Sequence, residues 1–142
     1  MAKTIATLLG AVFILVGIVG FIVPGFLGTH LSMAHNVIHL VSGAVSLYIG
    51  MKGTLSQARL FCLVFGAVYG LLGIVGFLAG SQGSPTGGHP GPADDRLLRV
   101  IPGTLELGTV DHVIHILLGV IFLIGGLMTK AALDRAVDDR RS

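Results

Sequence analysis

The sequence predicts an all-α integral membrane protein, a four-helix bundle built from two parallel two-helix repeats in a single domain spanning residues 1–142. Three observations point there. Hydrophobic residues make up 53% of the 142-residue chain and charged residues only 11%, with a mean hydropathy of +0.90, far from the composition of a water-soluble domain. Four apolar segments, about 5–23, 33–51, 60–78 and 110–128, contain one charged residue between them, Asp111. At 1.5 Å per residue each is long enough to cross a hydrocarbon core of about 30 Å. Finally, the chain echoes itself. Residues 10–21, GAVFILVGIVGF, return as residues 66–77, GAVYGLLGIVGF, with nine of twelve positions identical, and residues 33–50 return in altered form as 109–126.

The first segment follows a short Met-Ala-Lys-Thr lead and stops at Pro24-Gly25, a pair that does not continue a helix. Ser32-Met33-Ala34 has the small residues of a signal-peptide cleavage site. The apolar run is longer than a cleaved signal core, however, and its reappearance in the third segment makes it a structural span expected to be retained. With span 1 matching span 3 and span 2 matching span 4, each unit holds two crossings, so the units run in the same direction about an axis along the membrane normal. The connectors agree, Pro24-Gly25-Phe26-Leu27 against Pro102-Gly103-Thr104-Leu105. Gly10, Gly17 and Gly20 in span 1, and Gly66, Gly70, Gly73 and Gly76 in span 3, provide close helix approach. Packing inside the bundle is the expected use, ahead of dimerisation through the G-x-x-x-G matches at Gly66 and Gly76.

Between spans 3 and 4 lies an extracytoplasmic loop, residues 79–109, rich in Gly, Pro and Ser. Its Gly-Pro density predicts a flexible connection, with residues 93–100 as a short interfacial helix and His89 solvated. The tail, 130–142, alternates in charge and can extend span 4 as a helix along the membrane surface. Seven basic residues (Lys3, Lys52, Arg59, Lys130, Arg135, Arg140, Arg141) fall on one side of a four-span chain and two, Arg96 and Arg99, on the other. The positive-inside rule then places both termini in the cytoplasm. Cys62 is the only cysteine, which excludes an intrachain disulfide; in span 3 it reads as a small buried apolar group. The pI near 9.0 reflects few acids, with a net charge of only +2, and no nucleic-acid partner is expected.

The polar residues inside the spans are the candidate site. His35, His39, Gly43, Ser46 and Gly50 share one helical face of span 2, and Asp111, His115, Gly119, Phe122 and Gly126 share the equivalent face of span 4. Asn36 and His112 stand beside them. A lipid-facing imidazole or carboxylate has no partner, so both stripes are expected to face the interior. One reading of His35, Asn36, His39, Asp111, His112 and His115 is structural: Asp111 and Asn36 as helix caps, the histidines tying helix ends to the Pro-Gly connectors. The other is a ligand site, with His35, His39, Asp111 and His115 on a divalent metal, or His39 and His115 on a haem iron. No nucleophile with a base at a recognisable spacing and no nucleotide-binding glycine pattern is present, so the chain is expected to be non-enzymatic, with no cofactor under the structural reading. Transport requires a polar path, and the inner halves of the spans offer only Ser42 and Ser46.

The set His35-Asn36-Val-Ile-His39-Leu with a following glycine, Ala58-Arg59-Leu60-Phe61 leading to Gly66-x-x-Tyr69, and Asp111-x-x-x-His115 with Gly119 resembles a group of small bacterial four-span proteins known as a domain of unknown function. The resemblance runs over about residues 8–128. It implies a multi-pass protein of the bacterial plasma membrane and no particular activity. The expected function is therefore a structural or interaction component of the envelope, whose partners are the bilayer and other membrane proteins or further copies of itself.

Overall fold

The protein is described from a computed structural model that places residues 1–87 and 91–138, the side chains of 131–136 and 138 excepted. Helix α1 spans Ala2–Ile22, α2 Met33–Lys52, α3 Leu55–Ala79 and α4 Thr109–Asp138. Three short strands, β1 (Ser81–Gly83), β2 (Asp94–Ile101) and β3 (Leu105–Leu107), lie between α3 and α4. The chain is thus mostly helical with a small sheet, where an all-α fold was expected. His89 lies outside the described residues.

Local chemistry sets the helix ends. Pro24 follows α1, and the chain turns through a single 3-10 turn, Phe26–Gly28, with Leu27 at φ 55° and Gly28 at φ 80°. Ser32 caps α2 by accepting the His35 N–H at 3.3 Å. Thr54 and Gln57 exchange side-chain and backbone hydrogen bonds in a capping box that opens α3 only two residues after α2 ends. Helix α4 continues without interruption from the apolar segment into the charged tail as far as Asp138.

The helices associate most closely as the pairs α1 with α2 and α3 with α4, and α1 also packs on α3 and α4. Glycine makes each pair possible. A Cβ on Gly10 would lie 2.7 Å from the Leu47 backbone nitrogen, and one on Gly66 2.9 Å from that of Leu123. Gly43 faces the Gly10 carbonyl, and Gly119 the Gly66 carbonyl, so in both pairs backbone meets backbone. Between the pairs runs an aromatic core: Phe13 stacks on Tyr69 at 5.4 Å and meets Phe122 at 6.2 Å, while Phe65 lies 5.9 Å from Phe122. Cys62 is fully buried in the same core.

The polarity of this interior is inverted relative to a water-soluble protein. Leu8, Leu15, Leu71, Leu78 and Leu117 are each more than half exposed, whereas His35, Asn36, His39, Ser46, Asp111, His112 and His115 are buried. Helices α1 and α3 and the Thr109–Lys130 part of α4 are long and apolar enough to cross a membrane. Helix α2 has the length, but His35, Asn36 and His39 lower its hydropathy.

The segment expected to be a flexible loop with a helix at 93–100 is instead an antiparallel sheet in the order β1-β2-β3. Two physical reasons account for it. Leu97 and Leu107 are each 1% exposed, so the strands have a hydrophobic face covering the helix ends. The buried Glu106 carboxylate collects the Gly-Pro stretch around itself, accepting from the Thr86 N–H and hydroxyl and from the N–H groups of Gly87 and Gly103. Arg99 Nε adds an ion pair at 3.3 Å.

Candidate functional site

All six polar residues singled out in α2 and α4 are buried, at the end of the molecule that the sheet covers. They do not form one cluster. Four of them belong to two kinds of structural contact, and three histidine rings gather around a cavity, with His35 taking part in both.

Asp111 fastens the start of α4. Its Oδ2 accepts the Gly108 N–H at 2.8 Å, the reach-back bond of a helix N-terminus, and the His30 N–H at 3.0 Å from the connector between α1 and α2. His35 completes this tie from the other side. Its Nδ1 lies 2.9 Å from the His30 carbonyl oxygen, which can only accept, so Nδ1 carries the proton. His30 therefore joins the two histidine helices through its backbone. Asp94 of β2 supplies a further cap to α4, accepting the Thr109 N–H at 2.9 Å and the Thr109 hydroxyl at 2.7 Å. Burial pushes the Asp94 carboxyl up, but the bonds from Thr109 and Arg96 and the neighbouring His30 outweigh it and hold it below the usual range.

Asn36 and His112 fill notches over glycines. A Cβ on Gly20 would fall 2.0 Å from Asn36 Oδ1, and one on Gly76 would fall 2.1 Å from His112 Nδ1. Asn36 is inside α2 and does not cap it, because Ser32 occupies that role. Its Nδ2 donates to the Leu31 carbonyl at 3.3 Å. His112 Nε2 reaches the Arg96 carbonyl of β2 at 2.6 Å, and its ring meets the edge of Phe77 at 5.5 Å.

His35, His39 and His115 line a cavity of about 180 Å³ between α2, α3 and α4, closed from above by Leu105 and Leu107. His35 stacks on His39 with ring centroids 4.6 Å apart and lies 6.0 Å from His115, which in turn faces Tyr69 at 5.3 Å. Among the described residues, Nδ1 of His39 and Nδ1 of His115 are buried without a hydrogen-bond partner, as are His112 Nδ1, Asn36 Oδ1 and Arg59 Nε. Among the described residues no three His, Cys, Asp or Glu side chains converge as a metal-binding group; Asp111, the expected fourth ligand, is engaged by backbone amides. The volume is below the roughly 300–1,000 Å³ of ligand pockets for drug-sized molecules. His35 stands beside both proposed axial rings, its ring centroid 4.6 Å from that of His39 and 6.0 Å from that of His115.

Sequence reasoning did not pick out His30, Asp94 or Glu106, and Tyr69 entered only as part of the family pattern Gly66-x-x-Tyr69. Glu106 carried a signal, as the only glutamate in the chain and flanked by leucines. The role of His30 had none, since it acts through its peptide group.

The model of the family "Domain of unknown function (DUF4383)" matches residues 25–128, a stretch that holds every residue of this polar region. No curated protein and no solved structure matches the chain.

Proposed function

We propose that this chain, which belongs to the DUF4383 family of domains of unknown function, is a non-enzymatic, multi-pass component of a bacterial plasma membrane that acts through structure and association. In this reading α1 to α4 are a membrane-spanning four-helix bundle made of two copies of one helix pair, both termini are cytoplasmic, and the sheet caps the outer end. The observation that carries the proposal is the inverted polarity: exposed leucines surround buried His, Asn, Ser and Asp side chains. Such groups are tolerated in hydrocarbon when turned inward, away from lipid. The duplication is supported by the matching contacts of Gly10 with Gly43 and Leu47, and of Gly66 with Gly119 and Leu123. The bonds of Asp111, Asn36 and His112 to backbone groups give these side chains a holding role, not a catalytic one.

Topology is tested by single-cysteine labelling in a Cys62→Ser background. With seven basic residues on the side of the termini and two in the sheet segment, Ser84→Cys should react with an impermeant reagent in intact cells and Ser142→Cys only after lysis. The opposite pattern overturns the orientation. Copurification in mild detergent tests association: a stoichiometric protein partner or a stable homo-oligomer is the expected result, and a strictly monomeric, partner-free protein contradicts it.

A further inference from the structure

We propose that the cavity between α2, α3 and α4 is a binding site for the head group of a lipophilic quinone that enters sideways from the bilayer. This rests on the reading of the four helices as membrane-spanning, because it takes the exposed flank of α2 and α3 as facing lipid.

The route of entry follows from the rim. Ile38 and Val68 line the cavity and yet are 42% and 56% exposed, so the cavity reaches the apolar outer surface between α2 and α3. Those two helices are much less closely packed on one another than either is on its partner. From above, Leu105 and Leu107 separate the cavity from the aqueous side. A ligand dissolved in hydrocarbon can therefore reach it without crossing water.

The chemistry of the walls selects the head group. Phe65, Tyr69 and the rings of His35, His39 and His115 present flat faces, which suit a planar ring. Ser42, Tyr69, His39 and His115 line the cavity, and each side chain carries an O–H or N–H that can donate to a ligand oxygen, whereas His35 commits its Nδ1–H to the His30 carbonyl. Among the described residues no Lys, Arg, Asp or Glu lines the cavity, so no fixed charge there pairs with a carboxylate or phosphate. An uncharged ring bearing carbonyl acceptors meets all these conditions. The volume of about 180 Å³ accommodates one substituted six-membered ring, with the tail leaving between Ile38 and Val68.

The test uses the full chain purified in detergent, titrated with a benzoquinone bearing a decyl tail, and with decanoic acid and decylbenzene as controls, while the melting temperature is followed. A ligand that binds only the folded protein raises it saturably. The expected result is a saturable rise with the quinone alone. In Val68→Trp, which blocks the rim at an exposed position, the melting temperature without quinone should match wild type and the apparent affinity should fall at least tenfold. Should Val68→Trp not fold, Ile38→Trp serves as the same block. Absence of a rise in wild type, an equal rise with decylbenzene or decanoic acid, or an undiminished rise in the rim variant each overturns the proposal. The readout does not depend on orientation in the bilayer, so failure here is distinct from failure of the cysteine-labelling result.

Discussion

The α1–α2 pair and the α3–α4 pair solve the same packing problem with different polar parts. In both, glycine backbones touch and a polar side chain from the second helix settles over a glycine of the first: Asn36 over Gly20, His112 over Gly76. The partners differ. Asn36 donates to Leu31, five residues back along its own connector, whereas His112 reaches Arg96 in β2, sixteen residues away in a folded sheet. Asn36 is thus tied to its own connector and His112 to the sheet, while the bond from the His30 N–H to Asp111 joins the two pairs at the covered end. The glycine contact tolerates no change of size, while the polar contact above it adapts to whatever connector is present.

The largest expected effect falls on the second pair alone. Glu106→Ala removes the acceptor for four donors and the partner of Arg99, which should cost about 4 kcal/mol, since hydrogen bonds to a buried charge contribute about 1.5–3 kcal/mol each and losses are partly shared. Far-UV circular dichroism should retain the helical signal while limited proteolysis opens the segment between α3 and α4. Loss of all four helices together would mean that the sheet is a folding requirement of both pairs. The same carboxylate gives a pH signature. Burial pushes Glu106 up, but the bonds from Thr86, Gly87 and Gly103 outweigh it and hold the group down to about 2, from an ordinary 4.5. Its stabilisation is present above pH 4.5 and is lost as pH falls from there toward 2. The melting temperature should drop through that window in wild type, and Glu106→Gln should flatten the drop, the remaining slope reflecting Asp94, whose lowered pKa acts in the same direction.

An intermediate and symmetric effect is expected from the glycine contacts. Gly10→Ala and Gly66→Ala each bring a Cβ within 3 Å of a backbone nitrogen on the neighbouring helix, an overpacking cost of about 2 kcal/mol apiece. Detergent unfolding titrations that separated the two by more than about 1 kcal/mol would break the comparison, because they would show one pair relaxing where the other does not.

The smallest effect should come from exchanging the adaptable parts. His112→Asn puts into the second pair the residue type that fills the notch in the first, and it loses the bond to Arg96 while keeping some of the packing over Gly76. About 1 kcal/mol is expected, read as a modest fall in melting temperature. A loss as large as that of Glu106→Ala would make His112 a principal anchor of the sheet.

Much of this arrangement was legible in the chain. The helical segments stand out because hydrocarbon-length apolar runs admit few alternatives, and the helix end at Pro24 follows from backbone chemistry. The family was legible from the His35–His39 and Asp111–His115 segments. The burial of both polar stripes followed from spacings of three and four residues. The sheet was not legible, because Gly and Pro density is a local signal of flexibility, whereas Glu106 acts on Thr86, twenty residues earlier. Likewise Asn36 was read as a cap because it is near a helix start, when the capping role goes to the residue whose backbone leaves the helix, Ser32.

The sequence by itself determined which segments are apolar, where glycine permits close approach, and which faces of α2 and α4 carry the polar groups, since these depend on composition and on the helical period. Only the tertiary structure decided how the polar groups divide: Asp111 to backbone amides, Asn36 and His112 to glycine notches, and His35, His39 and His115 around a cavity that Tyr69 and β3 complete. Helical spacing specifies a direction around one axis. Distances between side chains on different helices depend on how those axes are set against one another, and that is settled by the glycine contacts between helices.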